Sequence, residues 1–164
     1  MFKKKLSFWF ILLMIISAIV ASSNIAVSQS LPSFRMQLTN GNFFSENDLP
    51  HDKPVIIIYF APDCEHCQAL IHSVLKRIHD FKKVPILLVT FNPMQEVAKF
   101  EKEYQTSRYS NIIVGTEIPV FFFRAYFNID NTPFTALFDK KRKLVISYKK
   151  ETPVEDLVKH LRIL

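Results

Sequence analysis

The only two cysteines of the chain lie three residues apart, where a strand-like segment gives way to a helix-like one. Residues 55–60 (VIIIYF) are a continuous β-branched and aromatic run, which predicts a strand buried on both faces. An Ala-Pro pair ends the run, Asp63 is a typical helix N-cap, and apolar residues at helical spacing predict a helix over 64–81. Cys64 and Cys67 are therefore expected in the first turn of a helix that follows a central strand.

The remaining pattern predicts a single α/β domain. A strand–helix–strand unit implies parallel pairing, because such crossovers connect parallel strands. A basic turn, Lys140-Lys141-Arg142-Lys143, joins the last two strands and is interpreted as a solvated hairpin turn. We expect a mixed sheet of four or five strands between layers of helices, plus an N-terminal β-hairpin. The elements are the hairpin at Asn40-Gly41, strands over 84–91, 111–114, 134–138 and 144–148, and helices over 94–104, over 119–127 and from Pro153 onward.

The composition of the chain excludes several functional classes. Apolar residues make up 49% of the 164 residues, so the chain is not disordered. Two glycines are too few for a Gly-rich phosphate-binding loop. Half of the formal net charge of +6 comes from Lys3, Lys4 and Lys5. The rest of the chain is only mildly basic, which argues against nucleic acid as a partner.

The N-terminal segment, residues 1–28, has the pattern of a targeting sequence. Three lysines precede an uncharged stretch from Leu6 to Val27, and the segment contains no acidic residue. This pattern predicts either a cleaved signal peptide or a retained membrane anchor. Both place the following domain, residues 31–164, outside the cytoplasm, in the periplasm or held at the membrane.

The cysteine pair, Cys64-Glu65-His66-Cys67, predicts thiol–disulfide chemistry. The start of a helix stabilises a thiolate, and the thiolate is the attacking species in disulfide exchange. Cys64, nearer the helix start, is the expected nucleophile, and the more buried Cys67 is expected to resolve the mixed disulfide. A protonated His66 would favour the reduced pair, whereas the like charge of Glu65 would oppose it.

From Leu31 onward the chain resembles the thioredoxin superfamily, in particular its exported TlpA/ResA-like thiol–disulfide oxidoreductases. The resemblance is carried by residues 53–67 and by Asn131-Thr132-Pro133-Phe134. It implies a three-layer α/β/α fold and a cis Pro133 that faces the cysteines. It also implies that the Thr132 backbone offers a strand edge to exported protein substrates. A monomer without a cofactor, served by a membrane redox partner, is expected.

Three positions depart from the pattern of the resembled family. Asp63 stands where Trp is common, and it could act as a catalytic acid instead of a cap. Thioredoxins carry a buried acid where this chain has Ile58, and ResA-like proteins carry a Glu where it has Leu70. Neither usual acid is available to deprotonate Cys67, so the direction and rate of turnover stay open.

Two other functions are weighed against disulfide exchange. A non-catalytic binding module could use the same cleft for a metal or a peptide, but Cys64, Cys67 and His66 supply only part of a four-ligand metal site. A thiol peroxidase would need a Thr three residues before its reactive cysteine, where this chain has Ala61. The Phe121-Phe122-Phe123 run is interpreted as core, although it could line the rim of the cleft.

Overall fold

The computed structural model describes residues 29–81 and 83–164, so the predicted targeting segment, residues 1–28, lies outside the described residues. No helix within the described part combines the length and the apolarity needed to cross a membrane. The strands are β1 (Arg35–Leu38), β2 (Phe43–Ser45), β3 (Val55–Tyr59), β4 (Ile86–Thr90), β5 (Ile112–Ile118), β6 (Phe134–Phe138) and β7 (Leu144–Lys149). The helices are α1 (Glu65–Lys76), α2 (Met94–Tyr104), α3 (Phe122–Phe127) and α4 (Val154–Arg162).

The strands form one seven-stranded sheet in the order β2-β1-β5-β4-β3-β6-β7. Strands β3, β4 and β5 are mutually parallel, and β6 and β7 continue the sheet antiparallel to their neighbours. The predicted mixed sheet and the parallel strand–helix–strand unit are confirmed. The five predicted strands and the N-terminal hairpin are all present, and β1 pairs with β5, so the hairpin belongs to the same sheet.

Strand β5 is longer than predicted, and its additional residues join the hairpin to the sheet. The apolar run predicted a strand over 111–114 only, whereas β5 continues through Gly115, Thr116 and Glu117 to Ile118. The backbone groups of these residues pair with β1, although their side chains lack the apolar pattern that predicts a strand. A glycine, a threonine and a glutamate in succession gave no apolar signal.

Helices cover both faces of the sheet, as the predicted three-layer arrangement requires. Alternate residues of β3, such as Ile56 and Ile58, pack beneath α1, α2 and α4, and this side is called the thiol face because it includes Cys67. Ile57 and Tyr59 point to the other side, where α3 and the N-terminal strand pack. All five residues of β3 are buried, which confirms the predicted central strand.

Two helices are shorter than predicted. Helix α1 ends at Lys76, and a separate 3-10 turn over Ile78–Phe81 carries Phe81 into the core. Helix α3 covers the last six of the nine residues predicted over 119–127, because Phe121, which precedes it, is left-handed with φ of 66°. The apolar periodicity continues across both irregular turns, which is why it overstated the two helices.

The basic turn between β6 and β7 is confirmed, with one exception to its solvated character. Lys140, Lys141 and Lys143 are exposed. The guanidinium of Arg142 folds back instead and donates a hydrogen bond to the carbonyl oxygen of Lys53 at 3.0 Å. Arg142 therefore ties the turn to the loop that precedes β3.

Gly115 is required by the close approach of β1 to β5. A Cβ atom there would overlap the carbonyl oxygen of Gln37 and lie 2.7 Å from Cε of Met36. We expect Gly115→Ala to lower the free energy of unfolding by about 1–3 kcal/mol, as overpacked cores do. Urea unfolding measures the loss. Gly41→Asn is the control, because Gly41 has open space around it and Asn tolerates its positive φ; an equal loss in both variants would contradict the steric explanation.

Candidate active site

The carboxyl ends of the parallel strands bring the predicted site residues to one edge of the sheet. Cys64 follows β3 after a short loop, and Pro133 immediately precedes β6. The two loops meet because Tyr59 at the end of β3 is the register partner of Phe134 at the start of β6. Crevices outside the carboxyl ends of parallel strands are the usual ligand sites of α/β sheets.

Cys64 and Cys67 form a disulfide with a Cα–Cα distance of 5.2 Å. Cys64 is half-buried at the start of α1, whereas Cys67 is fully buried. This difference in exposure matches the expected division between an accessible and a shielded sulfur. The cysteines sit in the first turn of the helix, as the sequence predicts.

The N-cap of α1 is Cys64, and the prediction that Asp63 caps the helix is wrong. Sγ of Cys64 accepts a hydrogen bond from the backbone N–H of Cys67 at 3.2 Å. Asp63 lies one residue earlier and its side chain is exposed. The cap signal in the sequence was misplaced by one residue, because a sulfur takes the acceptor position that an oxygen usually fills.

The Thr132–Pro133 segment lies directly against the disulfide. The peptide bond between the two residues is cis, as the family resemblance implies. Sγ of Cys64 lies 3.7 Å from the carbonyl oxygen of Thr132. Pro133 is buried, and its carbonyl oxygen accepts a hydrogen bond from the N–H of Lys150 at 3.0 Å. Thr132 thus lies beside the sulfur of Cys64, and the hydrogen bond from Lys150 holds Pro133 in place.

Glu65 and His66 are both exposed beside the disulfide. They line an open groove together with Pro133 and Lys150. The groove therefore carries charges of both signs, with Glu65 and Lys150 among its lining residues. The proposed effect of these residues on the redox balance stays a prediction.

The surroundings of Cys67 are apolar. Ile58 and Leu70 are buried in the same cluster as Cys67, as are Phe60 and Ile71. Within the described part of the chain, Glu117 is the only fully buried acid, and it bonds to Tyr59 on the opposite face of β3. An apolar environment disfavours a thiolate, and neither position 58 nor position 70 supplies a carboxylate to accept the proton of Cys67.

Glu117 is the centre of a buried hydrogen-bond network that the sequence did not predict. Oε1 accepts hydrogen bonds from Tyr59 Oη at 2.6 Å and from the N–H of Phe121 at 2.9 Å. Oε2 accepts from the N–H of Phe123 at 2.7 Å. The carboxylate thus joins β3 to the start of α3. The only sequence signal was an isolated acid among apolar residues ahead of Pro119.

Burial is the main cause of the pKa shifts of Glu117 and Tyr59. Removal from water raises the pKa of Glu117 above its ordinary value, although the hydrogen bonds from Tyr59, Phe123 and Phe121 act in the opposite direction. Burial, followed by the bond to Glu117, also raises the pKa of Tyr59 well above its usual range. Tyr59 therefore stays protonated and serves as a donor at any physiological pH.

Arg124 connects this network to the loop that carries Thr132. Its guanidinium donates to the carbonyl oxygens of Ile129 at 3.2 Å and Asp130 at 3.3 Å. The same group lies over the rings of Phe91 at 5.4 Å and Phe121 at 5.6 Å from their centroids. Arg124 thus holds both the loop and the aromatic side chains at this edge of the sheet.

The Phe121–Phe123 run is divided between core and surface. Phe123 is fully buried, as the core interpretation expects, whereas Phe121 is 47% exposed. Ala61 is buried, and its carbonyl oxygen accepts a hydrogen bond from the N–H of Cys64 at 3.1 Å. Among the residues that the structure describes, no group of three or more His, Cys, Asp or Glu side chains could hold a metal ion.

Comparison with known proteins gives a family and a fold. Residues 27–159 match the model of the AhpC/TSA family. No protein with a curated description matches the sequence. Three solved structures superpose over most of their own length at low sequence identity, which identifies a thioredoxin-like fold.

The first is a secreted Mycobacterium tuberculosis disulfide oxidoreductase homologous to E. coli DsbE, with a TM-score of 0.65, 15% identity, and coverage of 80% of this chain and 96% of that one. The second is a thio-disulfide isomerase from Thermus thermophilus, with a TM-score of 0.64, 22% identity, and coverage of 83% and 94%. The third is the peroxidoxin BcpB from Mycobacterium tuberculosis, with a TM-score of 0.69, 14% identity, and coverage of 84% and 96%.

Removing the Glu117 carboxylate should destabilise the fold strongly. Glu117→Ala leaves three donors without an acceptor, two of them buried, and should lower the free energy of unfolding by about 3 kcal/mol. Tyr59→Phe removes one donor and should cost about 1 kcal/mol when the carboxyl is ionised. Urea unfolding at several pH values measures both.

The pH dependence separates the two variants. The pKa of Glu117 is raised above 4.5 in the folded protein, so the folded state binds the proton more tightly than the unfolded state does. The contribution of Glu117 to stability therefore falls as the pH rises from the unfolded pKa to the folded pKa. The cost of Tyr59→Phe should grow over the same window, since its hydroxyl favours the ionised form. A cost independent of pH would contradict the role assigned to this bond.

Proposed function

Since the chain belongs to the AhpC/TSA family and has a thioredoxin-like fold, we propose that it is a thiol–disulfide oxidoreductase acting on exported proteins through Cys64 and Cys67. The observation that carries the proposal is the unequal exposure of the two sulfurs. Cys64 is half-buried at the helix start, beside Thr132, while Cys67 is fully buried. Only Cys64 offers a sulfur to a protein partner.

The proposed reaction is two successive disulfide exchanges. The Cys64 thiolate attacks one sulfur of a substrate disulfide, which forms a mixed disulfide and releases the other substrate sulfur as a thiolate. The Cys67 thiolate then attacks Sγ of Cys64. The substrate leaves with both cysteines reduced, and the Cys64–Cys67 disulfide takes up the oxidation. Run in reverse, the same steps oxidise a dithiol substrate, so the reduction potential of the pair sets the direction.

The wall opposite Cys64 suits an extended polypeptide. Thr132 precedes β6, and its N–H has no hydrogen-bond partner among the described residues. A substrate segment lying beside it could pair its backbone as an added strand would. The charged groove lined by Glu65, His66 and Lys150 would then contact the side chains that flank the substrate cysteine.

A peroxidase is the second candidate, because the chain resembles the peroxidoxin BcpB in fold. Ala61 opposes it, since the position that provides a Thr hydroxyl in peroxiredoxins has only a buried methyl group here. Peroxide consumption that persists in Cys67→Ser and disappears in Cys64→Ser would favour the peroxidase.

We further propose that the chain is exported, on the evidence of its uncharged N-terminal stretch.

Cys67→Ser should trap substrates at Cys64. Without the resolving thiol, the mixed disulfide cannot be released internally, so reduced Cys67→Ser protein should form a covalent adduct with a disulfide-containing protein. Non-reducing electrophoresis before and after treatment with a thiol reductant measures the adduct. Cys64→Ser is the matched control and should form little or none. Absence of an adduct with Cys67→Ser would refute the proposed exchange.

Leu70→Glu should speed up the resolving step by placing a carboxylate beside Cys67. A positioned base accelerates proton transfer, so resolution of a preformed mixed disulfide should be roughly tenfold faster or more near neutral pH. Leu70→Gln is the control, since it costs similar stability on burial but cannot accept the proton. Single-turnover release of the substrate measures the rate. Equal rates in the two variants would mean that deprotonation of Cys67 does not limit turnover.

A further inference from the structure

The end of the domain opposite the disulfide is rich in exposed positive charge. The loops before β3 and β4 and the turn after β6 meet there, because Val55 at the start of β3 pairs with Phe138 at the end of β6. We call this region the basic pole. Its members are Lys53, Lys83, Lys140, Lys141, Lys143 and Arg162, of which all but the half-buried Lys53 are exposed.

Contacts show that these side chains share one surface. Lys53, Lys83 and Arg162 line a common depression with His79. The hydrogen bond from Arg142 to the carbonyl oxygen of Lys53 joins the 140–143 turn to the same surface. Positive charges from four separate stretches of sequence therefore converge at one end of the molecule.

The acids at this end are largely engaged. Asp80 lies 2.8 Å from Arg77 and 3.7 Å from Arg162. Oδ1 of Asp139 accepts the N–H groups of Lys141 and Lys143, both at 2.8 Å. Asp52 is exposed and carries no such contact, and Asp48, which is exposed near Lys53 and Lys83, accepts hydrogen bonds from Ser45. Among the described residues, no ion pair joins the side chains of the three turn lysines to a carboxylate, so Asp139 within the turn offsets only part of their charge.

The first described residues of the chain, which follow the uncharged N-terminal stretch in sequence, lie at the basic pole. Ser30 forms a β-bridge with Lys143, whose Nζ donates to Ser30 Oγ at 2.9 Å. The N–H of Leu31 donates to the carbonyl oxygen of Arg142 at 2.9 Å. Only two residue steps separate Val27 from Gln29, a span of at most about 7 Å. If the stretch is a membrane anchor, no linker separates the domain from the bilayer.

We infer that the basic pole docks onto anionic phospholipid headgroups, with the disulfide end directed away from the membrane. The inference rests on the export proposed above and takes the stretch from Leu6 to Val27 as a retained anchor. Lysines held within one Debye length of an anionic surface are attracted to it. Ile163, which is 78% exposed beside Arg162, adds an apolar side chain at the same end. A lipid surface, unlike a soluble acidic partner, accounts for both the charges and the position where the chain enters.

The test uses the full chain in nanodiscs of phosphatidylcholine, with or without phosphatidylglycerol. The measurement is the acylation rate of each lysine by mass spectrometry. We expect Lys53, Lys83, Lys140, Lys141 and Lys143 to react several-fold more slowly with the anionic lipid, and the difference to vanish at high salt. Lys99 and Lys149 are exposed elsewhere and serve as internal controls, whose rates should not change.

A charge-reversed variant adds a second comparison. Lys140→Glu/Lys141→Glu should abolish the protection of Lys53 and Lys83, whereas Lys149→Glu/Lys150→Glu at the other end of β7 should keep it. Equal rates in the two lipids would overturn the inference. So would equal protection by soluble polyglutamate with phosphatidylcholine nanodiscs, or release of the chain from cell membranes by alkaline carbonate. Disulfide exchange assayed in the same nanodiscs tests the proposed function separately.

Discussion

The antiparallel pairing of β3 with β6 is the interaction on which the site depends. Tyr59 and Phe134 are register partners, so the loop that follows one strand and the loop that precedes the other must meet. A slip of one residue would turn every side chain of β6 to the opposite face. Such a slip is strongly opposed, because β3 and β6 are buried along their whole length. The distance between Cys64 and Thr132 is thus fixed by the core.

Burial of the sulfurs follows from the same core. Cys67 lies on the inner side of α1 and packs with Ile58, whereas Cys64 stands at the helix start, outside the sheet edge. The single buried acid of the described chain is on the other face, where it accepts hydrogen bonds from Tyr59 and the start of α3. The buried carboxylate therefore holds the loops around the site, and the core offers no carboxylate beside Cys67. In the proposed exchange, a group outside the core would have to take up the proton of Cys67.

The features that the sequence predicted are those with a local pattern. The β3 run, the helix after it and the two-cysteine spacing each depend on neighbouring residues, and all three are found in the structure. The family resemblance added the cis peptide before Pro133. The errors concern tertiary pairing: residues 115–118 became strand through β1, and Glu117 became buried through contacts 58 residues distant in sequence. No sequence periodicity encodes those partners. The N-cap was predicted one residue too early, at Asp63, because the sulfur of Cys64 accepts the capping hydrogen bond.

The two ends of β3 constrain how a membrane partner could act on this chain. Four residue steps of β3 alone separate the ends by roughly 13 Å, and the loops that lead to Lys53 and Cys64 add to that distance. With the basic pole on the headgroups, a membrane partner whose thiols lay at the bilayer surface could not reach Sγ of Cys64. A redox partner of the anchored chain must therefore project its cysteines beyond the headgroups, whereas soluble exported proteins approach the disulfide end without hindrance. The same orientation allows both kinds of partner to use a single face, one at a time, because Cys64 is the only accessible sulfur of the pair.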